Sequence, residues 1–349
     1  MTAEPTAALR LFVEHFDHLL ALVRQRFTVF WQFQQEGEPQ PSASELLDYA
    51  QEFGYLLRVV FRYQLLDALQ EEAAWYAALF TARGAGKEAL TLLLDSWLVA
   101  IQGFIKPPEC NILAAPLQVL RANLPHILPV AQVRSHTPPP PELTALVDLL
   151  TMGEVASAQA QVLGYLSQGT PPYAIITGTL LPAMVEVGRR WEQNSLAIYQ
   201  EHLATETIIR LLCALPSYGP VLPPGERLAL VTCVPGDEHQ LLPLALGIYL
   251  ELRGWRVRSL GRSLPLDQIG AAAAAFQPEV IFLSLTMLSR LEEALATVAY
   301  LKALDPSWRL IMGGPGTQPA AAILAEAGVR VVKTFEEAHA VGLSGDWNA

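Results

Sequence analysis

Two sets of residues have types and spacings suited to ligand chemistry. In the first, His239 closes the run Pro235-Gly236-Asp237-Glu238-His239, directly after an apolar stretch at 228–234. Proline and glycine let the backbone turn sharply, so the imidazole projects past the end of the preceding segment. Asp237, two residues earlier, is spaced to accept from one ring nitrogen and leave the other for a metal, which is how ligating histidines are oriented. Ser284 and Thr286 flank Leu285 after another apolar stretch and offer hydroxyls to a polar ligand tail. Gly313-Gly314 follows a third, where missing side chains let a flat or bulky group approach the backbone. Each element also has a plainer reading, as a solvated histidine or an ordinary glycine turn. The second set is Trp191, nine residues, then Glu201-His202. Alone, it reads equally well as a core tryptophan and an exposed helical pair.

These positions need elements to hold them. From 224 onward, strand-length runs (LALVTCV, WRVRSLG, VIFLSLT, RLIMGG, VRVVKT) alternate with helical ones (LLPLALGIYLELRG, LPLDQIGAAAAAF, SRLEEALATVAYLKAL, PAAAILAEAG). The alternation predicts a doubly wound parallel sheet with helices on both faces. Ligands of such sheets bind beyond the carboxyl ends of the strands, where all three loops of the first set fall. Residues 140–215 read as a four-helix bundle interrupted at 168–172, QGTPP. Residues 1–133 read as helical throughout, with Leu11, Phe12, Phe16, Leu19, Leu20, Val23 and Phe27 on one stripe. Ser42 or Ser44 before Glu45 marks a helix start, and 44–82 reads as one long helix or two joined ones. Gly84-Ala85-Gly86 breaks it; 87–105 resumes and stops at Pro107-Pro108. Proline-rich stretches at 134–142 (RSHTPPPPE) and 216–226 (PSYGPVLPPGE) divide the chain into 1–133, 140–215 and 224–349. The fold class is therefore multi-domain, all-helical parts followed by an α/β part.

Composition narrows the function. With 23 Lys+Arg against 34 Asp+Glu in 349 residues, the net charge is −11. That opposes direct nucleic-acid binding, whose affinity comes mainly from neutralising phosphate. A hydrophobic content of 52% with 16% charged residues excludes a disordered chain. No run approaches the ~20 apolar residues that span a membrane. The first residues carry acids and histidines where a secretory signal needs a basic start and an apolar core, so a cytoplasmic location is expected. Cys110, Cys213 and Cys233 are too few and scattered for a disulfide framework or a cysteine zinc site, and Cys110 reads as an inert thiol or an attachment point. His15, His18, His126, His136 and His339 match no pattern and read as solvated or structural. Residues 1–133 hold 16 of the 29 Phe, Trp and Tyr residues, which fits core packing, a dimerisation surface or a pocket for a flat conjugated ligand.

Taken together, Asp237-x-His239, Ser284-x-Thr286 and Gly313-Gly314, in this order, resemble the cobalamin-binding domains of the methionine-synthase and methylmalonyl-CoA-mutase type, over about 224–345. The resemblance implies that His239, in a loop with Asp237 and Glu238, replaces dimethylbenzimidazole as the lower axial ligand of cobalt. It also implies that Ser284, Thr286, Gly313 and Gly314 line the buried nucleotide tail. Where that pattern ends in glycine, this chain has the bulkier Leu242. Trp191, Glu201 and His202, within VGRRWEQNSLAIYQEHLATE, resemble the helical cap of CarH-type light-sensing cobalamin proteins. That implies Trp191 against the upper adenosyl group, with Glu201 and His202 over the same face. The family often has a histidine after the tryptophan; here it is Glu192.

FGYLLRVVFRYQLLDALQEEAAWYAALF, then DSWLVAIQ and APLQVLRANLP, is similar to haem-free sensor-globin domains, and no histidine lies between 19 and 125 to ligate a haem. A globin-like unit joined to a cobalamin module is similar to the photocobilins, which implies a bilin such as biliverdin bound in 1–133. The expectation is a non-enzymatic photoreceptor with adenosylcobalamin as cofactor. It would signal as a homo-oligomer, a dimer in the simplest case, or through an unidentified downstream signalling protein, without direct contact to nucleic acid or membrane. The alternative is a corrinoid methyl carrier serving methyltransferases; a third is a degenerate module that binds no corrinoid.

Overall fold

Apolar residues three and four apart close into helices that bury one stripe, and among the described residues up to Gln132 this happens six times. The computed structural model describes residues 6–33, 43–132, 139–219 and 227–344. Ser42, His136 and parts of both proline-rich stretches lie outside them. The chain forms two compact units, Met1–Thr137 with Glu192–Ser195, and Pro138–Trp191 with Leu196–Ala349.

The first unit contains α1 (Ala7–Glu14), α2 (Phe16–Phe33), α3 (Ala43–Tyr63), α4 (Leu66–Ala82), α5 (Gly86–Phe104) and α6 (Glu109–Gln132). Thr6 caps α1, its hydroxyl accepting from the Leu9 amide at 3.3 Å. Between the two readings of 44–82, the structure has two helices, broken at Gln64 in a left-handed conformation (φ 56°). The Gln64 amide donates to the Phe61 carbonyl at 2.8 Å, which satisfies one of the orphan acceptors at the end of α3. Phe12, Phe27, Phe53, Phe80 and Trp97 are fully buried. Phe12 meets Phe61 edge-on at 5.1 Å, and Trp97 stacks near Phe16 at 6.1 Å. Most of the aromatic residues described here therefore form core. Cys110 is buried.

The second unit begins with a helical cap of α7 (Pro141–Thr151), α8 (Val155–Ser167), α9 (Pro172–Ile175), a π-helical turn (Ile176–Leu180), α10 (Leu181–Glu192, whose last residue belongs to the first unit) and α11 (Ile198–Ala214). It continues with β1 (Leu228–Cys233), α12 (Leu241–Glu251), β2 (Arg256–Gly261), α13 (Leu266–Phe276), β3 (Val280–Ser284), α14 (Leu291–Leu304), β4 (Arg309–Gly313), α15 (Ala321–Glu326), β5 (Arg330–Val331) and α16 (Phe335–Leu343). All neighbouring strands are parallel, in the order β2-β1-β3-β4-β5. β1 and β3 are buried almost throughout, as unbroken apolar strands covered on both faces must be. β2 is an edge and exposes Arg256 and Arg258, charges that discourage pairing with another chain. The fifth strand is two residues rather than the six of VRVVKT. The chain is diverted into α16, where Thr334 accepts from the Glu337 amide at 3.1 Å and the Glu337 carboxylate accepts from the Lys333 amide at 2.7 Å.

Cap and sheet share one apolar core, in which Ile175, Val187 and Leu211 of the cap belong with Val231, Tyr249 and Phe282 of the sheet layer. His339 is a satisfied structural histidine beside this core. It is buried and accepts from the Trp255 indole at 3.0 Å. Among the described residues, no helix is long and apolar enough to cross a membrane.

Candidate functional site

The strand order 2-1-3-4-5 reverses between β1 and β3, and the crevice at their carboxyl ends is where open parallel sheets bind ligands. The His239 loop leaves β1 there. Asp237 is 1% exposed, yet its carboxylate is fully used. One oxygen lies 2.7 Å from His239 Nδ1 and 3.1 Å from the His239 amide; the other accepts from the Thr286 amide at 2.6 Å. Burial pushes this carboxyl up, but the bonds from His239 and Thr286 outweigh it and hold the group below its ordinary value. In the neutral ring, Nδ1–H donating to an ionised Asp237 leaves Nε2 as the lone-pair nitrogen, on a side chain that is 52% exposed.

The other first-set residues sit on the neighbouring strands. Ser284 ends β3 beside Cys233 of β1 on one side and Gly313 of β4 on the other. Its hydroxyl and that of Thr286 are buried without a hydrogen-bond partner in the protein. Buried unpaired hydroxyls are costly, and two at one strand end fit a polar ligand that completes them. Gly314 adopts φ 111°, and a Cβ there would collide with the Leu285 carbonyl oxygen, so only glycine fits. Glu238 pairs with Arg262 at 3.0 Å, both largely exposed, which gives a weak contact. Cys233, at the foot of the loop, is buried, and burial with the Asp237 and Glu238 charges raises its thiol to about 12, so it stays a neutral thiol.

In the cap, Trp191 is half-buried and packs against the shared core. Glu201 and His202, adjacent on α11, lie together, with Glu201 Oε2 2.8 Å from His202 Nδ1. The other Glu201 oxygen accepts from the Thr205 hydroxyl at 2.8 Å. Thr205 was not legible as a partner from the Trp-x9-Glu-His spacing, although its place four residues on is the helical signal for it. In the first unit, Trp75 Nε1 donates to Glu192 Oε1 at 2.8 Å. Glu186, one turn before Trp191, is 5% exposed and holds both Arg189 (2.6 Å) and Arg190 (2.9 Å). Arg190 also reaches Asp148 of α7 at 2.7 Å. This network lies outside the sequence motifs, although Glu186, Arg189 and Arg190 have helical pair spacing.

Among the described residues, no group of three or more His, Cys, Asp or Glu is placed to hold a bare metal ion. A single imidazole with a free lone pair instead suits a metal already ligated in the plane of a macrocycle. The donor set therefore fits a corrinoid, for which His239 offers a nitrogen donor and the unpaired Ser284 and Thr286 hydroxyls offer partners to a polar group.

Comparison with known proteins agrees. Residues 227–342 match the family model described as B12 binding domain, and residues 142–215 match a second model of the same description. The chain is 27% identical over 179 residues to the HTH-type transcriptional repressor CarH of Myxococcus xanthus, covering 51% of this chain and 59% of that one. It is 32% identical over 177 residues to the repressor CarA of the same organism, covering 50% and 57%. The chain thus spans less than two thirds of the length of either. It is 26% identical over 152 residues to the dimethylamine corrinoid protein of Methanosarcina barkeri, covering 42% of this chain and 71% of that one. In fold, it resembles the monomethylamine corrinoid protein of Methanosarcina barkeri, with a TM-score of 0.51 at 20% identity over 57% of this chain and 95% of that one. The helical cap and the sheet domain each match a B12 binding domain, and together with the side chains at the β1 and β3 ends they support cobalamin as the group that the second unit binds.

Proposed function

We propose that this chain is a non-catalytic light sensor that binds adenosylcobalamin through its second unit. Adenosylcobalamin supplies a weak cobalt–carbon bond that visible light breaks, with departure of the adenosyl group. His239 would hold the cobalt through Nε2, with Asp237 fixing the ring through Nδ1 and the loop through Thr286. Ser284 and Thr286 would donate to the tail, and Gly313 and Gly314 would leave room for it. Trp191, Glu201 and His202 of the cap would contact the adenosyl group, so the cap would sense whether that group is present. A ligand with different contacts in its two forms shifts the balance between two conformations, which is what a switch requires. The observation that carries this reading is the Asp237–His239–Thr286 arrangement at the switch point of the sheet, in the unit whose cap carries the Trp-x9-Glu-His pattern. Output then passes through oligomeric state or a partner protein, since a net charge of −11 opposes binding to DNA.

A bilin in the first unit is the further part of the reading. Its support there is the pair Ser96 Oγ and Trp97 Nε1, both buried without a hydrogen-bond partner in the protein; the dense packing of Phe12, Phe53 and Phe80 favours a structural role for most of the other aromatics. The corrinoid methyl carrier is the second reading, favoured by the similarity to the dimethylamine corrinoid protein.

The test is to load the protein with adenosylcobalamin and biliverdin in darkness and record spectra and mass before and after green light. The expected result is a changed corrinoid spectrum, loss of the adenosyl mass and a far-red bilin band. Identical dark and lit spectra dispose of the sensor. Methyl transfer in darkness from the methylcobalamin-loaded protein to the acceptor of an added methyltransferase, with no light-driven change in conformation or oligomeric state, establishes the carrier.

A further inference from the structure

The loop that carries His239 is fastened at a second point besides Asp237. Arg290 ends the short 3-10 turn Leu288–Arg290 that leads into α14, and its Nε donates to the Gly236 carbonyl at 3.1 Å. Gly236 lies in the left-handed region (φ 76°), and a Cβ there would come within 3.4 Å of Arg290 Cδ. The arginine stem thus lies alongside the loop, at van der Waals distance from where a Cβ of residue 236 would stand. Thr286, four residues before Arg290, supplies the amide that binds Asp237. Both fastenings therefore come from the β3–α14 connection, the same segment that begins with the buried, unpartnered Ser284 and Thr286 hydroxyls.

One attachment leaves a loop free to pivot; two attachments fix its direction. We propose that Arg290 is a positioning residue that presents His239 to the metal and joins the His239 loop to the tail-binding loop as one body. The proposal rests on the cobalamin reading above. Removing the guanidinium leaves the imidazole bonded to Asp237 but lets Gly236 and the ring swing together. The ligand's own base then competes better for cobalt.

The experiment uses the full chain, with histidines labelled with the heavy nitrogen isotope, loaded with hydroxocobalamin and reduced to the cob(II) form. Electron paramagnetic resonance then separates the axial donors. A labelled imidazole splits each line in two, whereas the cofactor's unlabelled benzimidazole splits it in three. The parent protein is expected to give the two-line pattern, and Arg290→Gln a mixture with about tenfold weaker corrinoid affinity, as the loss of one charge-assisted bond implies. Arg290→Lys, which keeps a cationic donor, is expected to restore most of the two-line pattern. An Arg290→Gln protein with parental pattern and affinity overturns the proposal, even if its melting temperature falls, because that marks a purely structural contact. A three-line pattern in the parent instead removes His239 as the ligand, and the proposal falls together with the reading beneath it.

Discussion

At the scale of single residues, Asp237 governs the site. It is a buried carboxylate with three donors aimed at it, and the residue that orients His239 is also the one that ties two strand ends together. Replacing Asp237 with Asn removes the charge and turns one acceptor into a donor facing another donor. Partners behind a metal-binding histidine typically contribute about 10–100-fold in metal affinity. Asp237→Asn is therefore expected to weaken hydroxocobalamin binding by about that factor, read by absorbance titration; parental affinity in the variant shows that the ring is oriented by something else. The Asp237–His239 pair was legible in the sequence because a two-residue spacing inside a turn leaves few alternatives. The role of Thr286 was only half legible. Its hydroxyl could be inferred from type, but the amide that holds Asp237 is a backbone donor, and backbone donors carry no sequence signature. Arg290 was illegible for a related reason, since its partner is the carbonyl of a glycine 54 positions away.

At the scale of elements, the strands and helices of the second unit were readable because their periods differ and both faces of β1 and β3 demand apolar runs. What could not be read arises where packing overrides local preference. The break at Gln64 has neither glycine nor proline, the π-helical turn at Ile176–Leu180 has no composition of its own, and β5 is cut short by the cap of α16. The most consequential unread feature is the buried Glu186 at the centre of α10. Its bond to Arg189 lowers its carboxyl to about 2 against the opposing effect of burial, with Arg190 adding to the drop. A folded value below the unfolded one means that the contribution is present above the ordinary 4.5 and fades as pH falls towards 2. Both arginines keep some solvent, so Glu186→Gln is expected to cost about 1–3 kcal/mol near neutral pH. Denaturant unfolding of parent and variant at neutral pH and near pH 3 checks this: the gap should be full at the first and reduced at the second. A gap that stays constant with pH means that the network contributes packing rather than charge.

At the scale of the second unit as a whole, the sequence marks two parts with a proline-rich stretch between them, yet cap and sheet enclose one core. Local sequence could not show this, because the shared core is assembled from small contributions of residues as distant as Ile175 and Tyr249. A common core has a mechanical consequence. Within one cooperative body, elements still open separately, and those with exposed faces open most easily. α11 carries Ile198, Tyr199 and Leu203 on such a face, beside Glu201 and His202, while β1 and β3 are enclosed. If the upper group packs against α10 and α11, its departure raises their opening frequency and leaves the strands untouched. Amide hydrogen exchange of the adenosylcobalamin-loaded protein, in darkness and after green light, reads this directly. Exchange in α10 and α11 is expected to rise about tenfold on illumination, the equivalent of about 1.4 kcal/mol of lost local protection, while β1, β3 and β4 keep their dark rates. Equal dark and lit rates in α10 and α11 mean that the cap does not sense the upper group. A rise shared equally by β1 and β3 means instead that light loosens the whole unit, and the signal is then loss of cofactor rather than movement of the cap.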